Sequence, residues 1–208
     1  MAKRLVVNMG TTKVLLVGVC EYLTVKCSSL PMCRNDIFAM RKALVKGLNI
    51  SPSNIHLCDE TGIVTKNDFI ASLYTVLKDI SENDTFIFYF SGHGGKNCLI
   101  LSDGLIELQD LLNTIEQVKA KNKIAIIDSC HSGGFSLENV PAIDIDETVE
   151  NFAGHGFAVL ASCGADQYSG FNEDNEISLY TSFVCDALTA RFLIRKGKKS
   201  LEAINEAI

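Results

Sequence analysis

The sequence of 208 residues lacks the features of a membrane protein or a nucleic-acid-binding protein. Its longest uninterrupted apolar runs are only about six residues, far short of the roughly 20 that span a bilayer. Lys and Arg together number 19 against 25 Asp and Glu, which gives a net charge of −6. An acidic chain is poorly suited to nucleic acid or anionic lipid. We therefore expect neither a nucleic-acid partner nor a membrane.

The eight cysteines lack the spacing of a metal site. No Cys-x-x-Cys pair occurs, which excludes a zinc ribbon. Cys20, Cys58 and Cys185 each follow an apolar residue, where a small buried side chain is the simplest interpretation. The amino terminus has too short an apolar run for a signal peptide. We therefore expect reduced thiols, a cytoplasmic location, and neither metal nor cofactor.

What the sequence does contain is an alternation of strand and helix patterns, which predicts one α/β domain with a mostly parallel, doubly wound sheet. Gly47 is expected to end the first helix, and Thr65 and Asp68 to cap the second. The predicted strands are 13–19, 55–58, 85–90, 98–101, 124–127 and 157–161, and the predicted helices 34–46, 66–80, 108–121 and 179–194.

The ends of the chain suggest the domain limits. Residues 1–12 are interpreted as an N-terminal extension and residues 13–208 as the domain itself. The last nine residues begin a helical pattern that stops with the chain. We therefore expect a domain truncated at its C-terminus.

Two of the predicted strands end in conspicuous polar residues. Ser-Gly-His-Gly follows the strand 85–90, and Asp-Ser-Cys-His follows the strand 124–127. The carboxyl ends of parallel strands meet at one edge of a sheet, where α/β proteins place their chemistry. Thiolate attack on a carbonyl needs a base nearby and donors for the oxyanion. The pattern therefore predicts Cys130 as the nucleophile and His93 as its base.

Glycines and a second histidine complete this predicted site. Gly94 and Gly95 lack a Cβ and leave their backbone N–H groups accessible, and the backbone N–H of Cys130 is the expected second donor of an oxyanion hole. His131 is a rival base, but successive side chains tend to point apart, which favours an orienting role. His56 and His155 have no such surroundings and are interpreted as structural.

The segments Phe-Tyr-Phe-Ser-Gly-His-Gly (88–94) and Asp-Ser-Cys-His-Ser-Gly (128–133) resemble the two catalytic signatures of metacaspases and related bacterial caspase-like peptidases. The resemblance extends to 13–22, 32–36 and 159–167. It implies the caspase-like (caspase–hemoglobinase) α/β fold, with a mostly parallel sheet of the six-stranded type between two layers of helices. It also implies a cysteine endopeptidase that uses a Cys130–His93 dyad and a thioacyl-enzyme, with the N–H groups of Gly94 and Cys130 as the oxyanion donors.

The same resemblance implies cleavage after Arg or Lys, whereas animal caspases cleave after Asp. The basic side chain would be held by the residues at Cys33, Asp36, Ser91 and Asp128. A cation that leaves water needs a carboxylate partner, and this set offers two. The expected partners are proteins or peptides with Arg or Lys before the scissile bond, and we expect a monomer.

Two features depart from many metacaspases. Those that need calcium bind it with an acidic insertion after the His-Gly motif and an aspartate past the cysteine. Here only seven residues separate Gly95 from Asp103, and Leu137 stands where that aspartate is expected. In addition, no Lys or Arg lies between Lys123 and Arg191. We therefore expect calcium-independent activity in an unsplit chain.

Three alternatives remain at this point. A catalytically inactive caspase-like scaffold would keep the fold without the activity. A separase-like or CHAT-type peptidase would keep the dyad and change the substrate. A nucleotide-binding domain is disfavoured because Val17-Gly-Val-Cys-Glu-Tyr22 stands where a Gly-x-Gly-x-x-Gly loop is required.

Overall fold

The computed structural model describes residues 10–95, 97–131, 157–162, 176–190, 194–195 and 198–199, with only the backbone given at 130–131 and from 194 onward. The strands are β1 (Thr12–Gly18), β2 (Ile55–Leu57), β3 (Thr85–Gly95), β4 (Cys98–Leu101), β5 (Gly104–Glu107), β6 (Asn122–His131), β7 (Phe157–Ala161), β8 (Ile194–Arg195) and β9 (Lys198–Lys199). The helices are α1 (Met32–Leu48), α2 (Lys66–Leu77), α3 (Leu108–Glu116) and α4 (Leu179–Thr189).

Seven of these strands form one sheet with β3 at its centre. Five run parallel in the order β2–β1–β3–β6–β7, which confirms the predicted mostly parallel sheet. The antiparallel hairpin β4–β5 joins β3 at Gly94 and Gly95, beyond Ser91, where pairing with β1 ends. The sequence did not reveal β5, because a four-residue strand has too little pattern of its own and depends on pairing with β4.

Alternating side chains of the central strands supply two separate cores. On one face Leu15, Phe88 and Ala125 pack with apolar residues of α2 and α3. On the other, Leu16 and Tyr89 pack with α1 and α4. Because successive strand residues point to opposite faces, each central strand is apolar along its whole length. The result is the predicted arrangement of helices on both faces of the sheet.

The ends of the first two helices test the predicted caps. Thr65 and Asp68 form a reciprocal capping box at α2, as predicted. The prediction for Gly47 was wrong, since α1 continues through it to Leu48 and ends at Asn49 with φ of 55°. A Cβ on Gly47 would lie 2.1 Å from the carbonyl oxygen of Leu188. Glycine is therefore required there by the close approach of α4.

The largest correction concerns the two polar motifs. We expected them to follow the strands, but β3 extends through Gly95 and β6 through His131. The two strands pair over ten residues, so the polar segment keeps its backbone hydrogen bonds within the sheet. Three helices are also shorter than predicted: α2 ends at Leu77, α3 at Glu116 and α4 at Thr189.

Asp84 joins the amino ends of the sheet. Its carboxylate accepts the N–H groups of Thr11 at 2.6 Å and Ser81 at 2.8 Å, and both hydroxyls as well. These donors, led by the Ser81 N–H, lower the pKa of Asp84 to about 2. The carboxylate is therefore charged at neutral pH and stabilises the start of β1 and β3.

In the part of the chain described, no helix is long and apolar enough to cross a membrane.

Candidate active site

The pairing of β3 with β6 brings the two sequence motifs side by side. His93 is the register partner of Cys130, and Ser91 is that of Asp128. Neighbouring strands lie about 4.8 Å apart, so the two predicted catalytic residues are adjacent on the sheet. Only the backbone of Cys130 and His131 belongs to the described structure. Their roles as nucleophile and rival base stay predictions.

The ring of His93 is held by the loop that follows β1. Its Nε2 lies 2.9 Å from the carbonyl oxygen of Ser28. Because a carbonyl can only accept, Nε2 carries the proton in this contact and Nδ1 is the basic nitrogen of the neutral ring. Burial lowers the pKa of His93, and the bond to Ser28 offsets part of that effect. The ring is therefore neutral at physiological pH and able to accept a proton.

Tyr22 also contacts His93. Its hydroxyl accepts the backbone N–H of His93 at 2.8 Å and donates to the Val19 carbonyl at 3.0 Å. The two ring centroids are 4.9 Å apart. Gly92 makes room for this contact, since a Cβ there would lie 3.2 Å from the Tyr22 hydroxyl oxygen. Sequence reasoning missed Tyr22 and Ser28, because neither belongs to a motif that marks a contact with His93.

Asp36, in the first turns of α1, is completely buried beside β3. The Ser91 hydroxyl donates to Oδ2 at 2.6 Å, and the backbone N–H of Ser178 donates to Oδ1 at 2.8 Å. Burial raises the pKa of Asp36 to about 6, against the opposing effect of these two donors, and the nearby charge of Asp128 adds to the rise. This is a buried carboxyl group that titrates near neutrality.

Asp128 accepts its hydrogen bonds from the start of α4. The hydroxyls of Ser178 and Thr181 both donate to its Oδ2, that of Thr181 at 2.7 Å. The Thr181 hydroxyl also shares a hydrogen bond with the buried Tyr89 hydroxyl. Ser178 could have been recognised from the sequence as a helix N-cap. Its reach to two carboxylates could not, since it depends on how α4 lies against β6 and α1.

The four residues predicted to hold the substrate side chain therefore lie together. Cys33 is buried close to Ser91, the residue that donates a hydrogen bond to Asp36. Burial raises the pKa of the Cys33 thiol, so it stays uncharged. Within the described residues, no Lys or Arg side chain pairs with Asp36 or Asp128. The hydrogen bonds to these two carboxyl groups come from neutral hydroxyl and N–H donors.

The remaining predicted residues have the following positions. Gly94 lies between Leu99 of β4 and His131 of β6, one residue beyond His93, and its oxyanion role stays a prediction. His56 lies on β2, which β1 and β3 separate from β6. Leu137 and His155 are outside the described residues.

The described residues contain neither a metal site nor a disulfide. Over the described ranges, no group of three or more His, Cys, Asp or Glu side chains is placed to hold a metal ion. The six cysteines with described side chains are free thiols. Their burial varies, but none is part of a metal-ligand cluster.

The sequence of this chain is similar to a protein-family model and to several known proteins. The Caspase domain family model matches residues 11–206. Metacaspase-1 of Yarrowia lipolytica is 26% identical over 148 residues, which is 60% of this chain and 32% of that protein. Metacaspase-4 of Arabidopsis thaliana is 28% identical over 176 residues, 71% of this chain and 42% of the relative. The chain thus spans about a third of the length of the first of these relatives.

A solved structure shows the same fold. The crystal structure of Caspase-1 from Spodoptera frugiperda superposes with a TM-score of 0.61 at 17% identity, covering 86% of this chain and 68% of that one. This confirms the caspase-like fold predicted from the sequence. The resemblance to metacaspases and related caspase-like peptidases is confirmed as well. With its family model matched over nearly the whole sequence, the chain belongs to the caspase domain family.

Proposed function

We propose that this chain is a cysteine endopeptidase with a His93–Cys130 dyad. The observation that carries the proposal is the register of β3 and β6, which pairs His93 with Cys130 while Ser28 holds the proton on Nε2. Nδ1 of His93 takes the thiol proton, and the thiolate sulfur attacks the peptide carbonyl carbon. The proton then passes to the leaving amine as the C–N bond breaks. Water hydrolyses the thioester that remains.

The predicted oxyanion donors belong to the same proposal. Gly94 is next to His93 on β3, and Cys130 supplies both the sulfur and its own backbone N–H. Negative charge that develops on the carbonyl oxygen would be stabilised at this edge of the sheet. Peptide and protein substrates reach it at the end where β3 and β6 carry their polar residues.

We further propose that the residue before the cut is Arg or Lys. Support comes from the two buried carboxylates, Asp36 and Asp128, which accept hydrogen bonds from neutral donors. Neutral donors stabilise a carboxylate without cancelling its charge. A guanidinium or ammonium group entering beside them would gain a partner that the described protein does not supply. A substrate with Asp in this place would meet a like charge.

A positional peptide library tests the proposed function. Each peptide varies the residue before the scissile bond, and wild type is compared with Cys130→Ala. We expect cleavage after Arg and Lys by wild type alone. Cleavage by neither protein would favour an inactive scaffold, whereas Cys130-dependent cleavage after other residues would point to a different peptidase of this fold.

Activity is expected to be independent of calcium, because the sequence has no acidic insertion after Gly95 and has Leu137 in place of an aspartate. Peptidase rates should be equal in chelator and in millimolar calcium. Magnesium at the same concentration controls for ionic strength. Strong activation by calcium alone would contradict the proposal.

We also expect an active chain that stays in one piece. Cleavage after Arg or Lys cannot occur within residues 124–190, which contain neither. Intact mass after prolonged incubation should show no cut in that range, while trimming at Lys3, Arg4 or Lys13 remains compatible. A cut within 131–155 would instead indicate cleavage at an acidic residue such as Asp144 or Asp146.

A further inference from the structure

Ser178 is the residue that connects the two buried carboxylates. Its backbone N–H donates to Asp36 Oδ1 and its hydroxyl donates to Asp128 Oδ2. Asp36 belongs to α1 and Asp128 to β6, so the two carboxylates come from separate parts of the chain. Each of them is almost completely removed from solvent. One serine is thus hydrogen-bonded to both.

The geometry at Ser178 is fixed by the helix that it begins. Its hydroxyl oxygen accepts the N–H of Thr181 at 3.3 Å, which is the N-cap bond of α4. The Thr181 hydroxyl donates to Asp128 as well, and Tyr89 holds that hydroxyl from the sheet. Asp128 therefore lies at the positive end of the α4 dipole. The start of α4 acts on it through two hydroxyl donors.

The hydrogen bonds of Ser178 hold two carboxylates together although their charges repel each other. Two buried carboxylates in neighbouring positions repel each other, and the proximity of Asp128 contributes to the raised pKa of Asp36. A Lys or Arg in place of Ser178 would relieve the repulsion but would also neutralise the site. A serine holds both groups in place and leaves the negative charge available.

We infer that Ser178 is a specificity-determining positioning residue, which holds Asp36 and Asp128 together as the binding site for the cationic side chain of the substrate. The inference rests on the proposed function, because it assigns a partner to those two carboxylates. Ser178 acts through them and is not itself a catalytic residue.

The test uses Ser178→Ala in the full chain, with benzamidine as a reversible cationic probe alongside an Arg peptide. Loss of a hydrogen bond to a charged group should weaken benzamidine binding about tenfold to hundredfold. The KM for the Arg peptide should rise by a similar factor, while kcat changes much less. Ser178→Thr keeps the hydroxyl and should remain close to wild type. Ser182→Ala, the same change one turn further along α4, should have no effect.

A second variant guards against a folding defect, since Ser178→Ala also removes the N-cap. Thr181→Val keeps the shape of the side chain and leaves the cap intact, yet removes the other hydroxyl donor to Asp128. It should also weaken benzamidine binding. If Ser178→Ala binds benzamidine as tightly as wild type does, the role inferred for Ser178 is wrong, while the proposed specificity for Arg and Lys is unaffected. A wild-type protein that neither binds benzamidine nor cleaves after Arg would overturn the proposed specificity, and this assignment with it.

Discussion

Replacing His93 with Gln is expected to lower kcat/KM for the best peptide substrate by about a thousandfold. Glutamine can still donate to the Ser28 carbonyl, which holds Nε2 of the imidazole at 2.9 Å. It cannot take a proton from a thiol. The fall in kcat/KM therefore measures the loss of the proton acceptor more than a change in the shape of the site. The measurement is steady-state cleavage, together with the rate at which iodoacetamide alkylates Cys130.

His56→Gln is the matched control for this experiment. His56 is half-buried, and burial lowers its pKa as it lowers that of His93, but His56 lies on β2 at the edge of the sheet. Cleavage and alkylation rates should match those of wild type. If His93→Gln kept most of its activity, His131 would become the better candidate for the base.

Replacing Asp36 with Asn is expected to change activity and stability in opposite directions. Loss of one partner from a buried ionic contact should lower kcat/KM for an Arg peptide by about a hundredfold or more. Folding, however, moves the pKa of Asp36 up from its ordinary 3.8 to about 6. The charged form is thus disfavoured in the folded state, and stability falls as pH rises from about 4 to 6.

Removing that charge should therefore raise the free energy of unfolding at pH 8 by up to about 3 kcal/mol. This value corresponds to the rise in the pKa of Asp36 from 3.8 to about 6 on folding. Chemical denaturation at pH 8 and at pH 4 provides the measurement, and the gain should disappear at the lower pH. In wild type, cleavage after Arg should decline on acidification through pH 6, as Asp36 takes up its proton.

Asp84→Asn is the control in which removal of a charge should lower the free energy of unfolding. The pKa of Asp84 is lowered to about 2, so its charge contributes stability that is present above about 4 and lost only as pH falls through 2. This variant should be less stable than wild type at pH 8, with specificity unchanged. A destabilised Asp36→Asn that still cleaves well after Arg would contradict the role proposed for Asp36.

The sequence by itself determined the fold class and predicted which residues form the candidate site. Continuous apolar runs on the central strands predict a sheet buried on both faces, and Phe157–Ala161 was predicted with its observed bounds. The motifs around His93 and Cys130 pointed to one edge of that sheet, because parallel strands align their carboxyl ends. Periodicity and motif order are local properties, so they can be read without coordinates.

Only the tertiary structure decided how the site residues are held. The proton on Nε2 of His93 depends on the carbonyl of Ser28, 65 positions earlier in the chain. The bond from Ser178 to Asp36 spans 142 positions, and the bond to Asp128 spans 50. Hydrogen bonds between distant segments follow from how helices dock on the sheet, and a single serine or tyrosine leaves no periodic signal of such a contact. The same docking removes Asp36 from water and so raises its pKa.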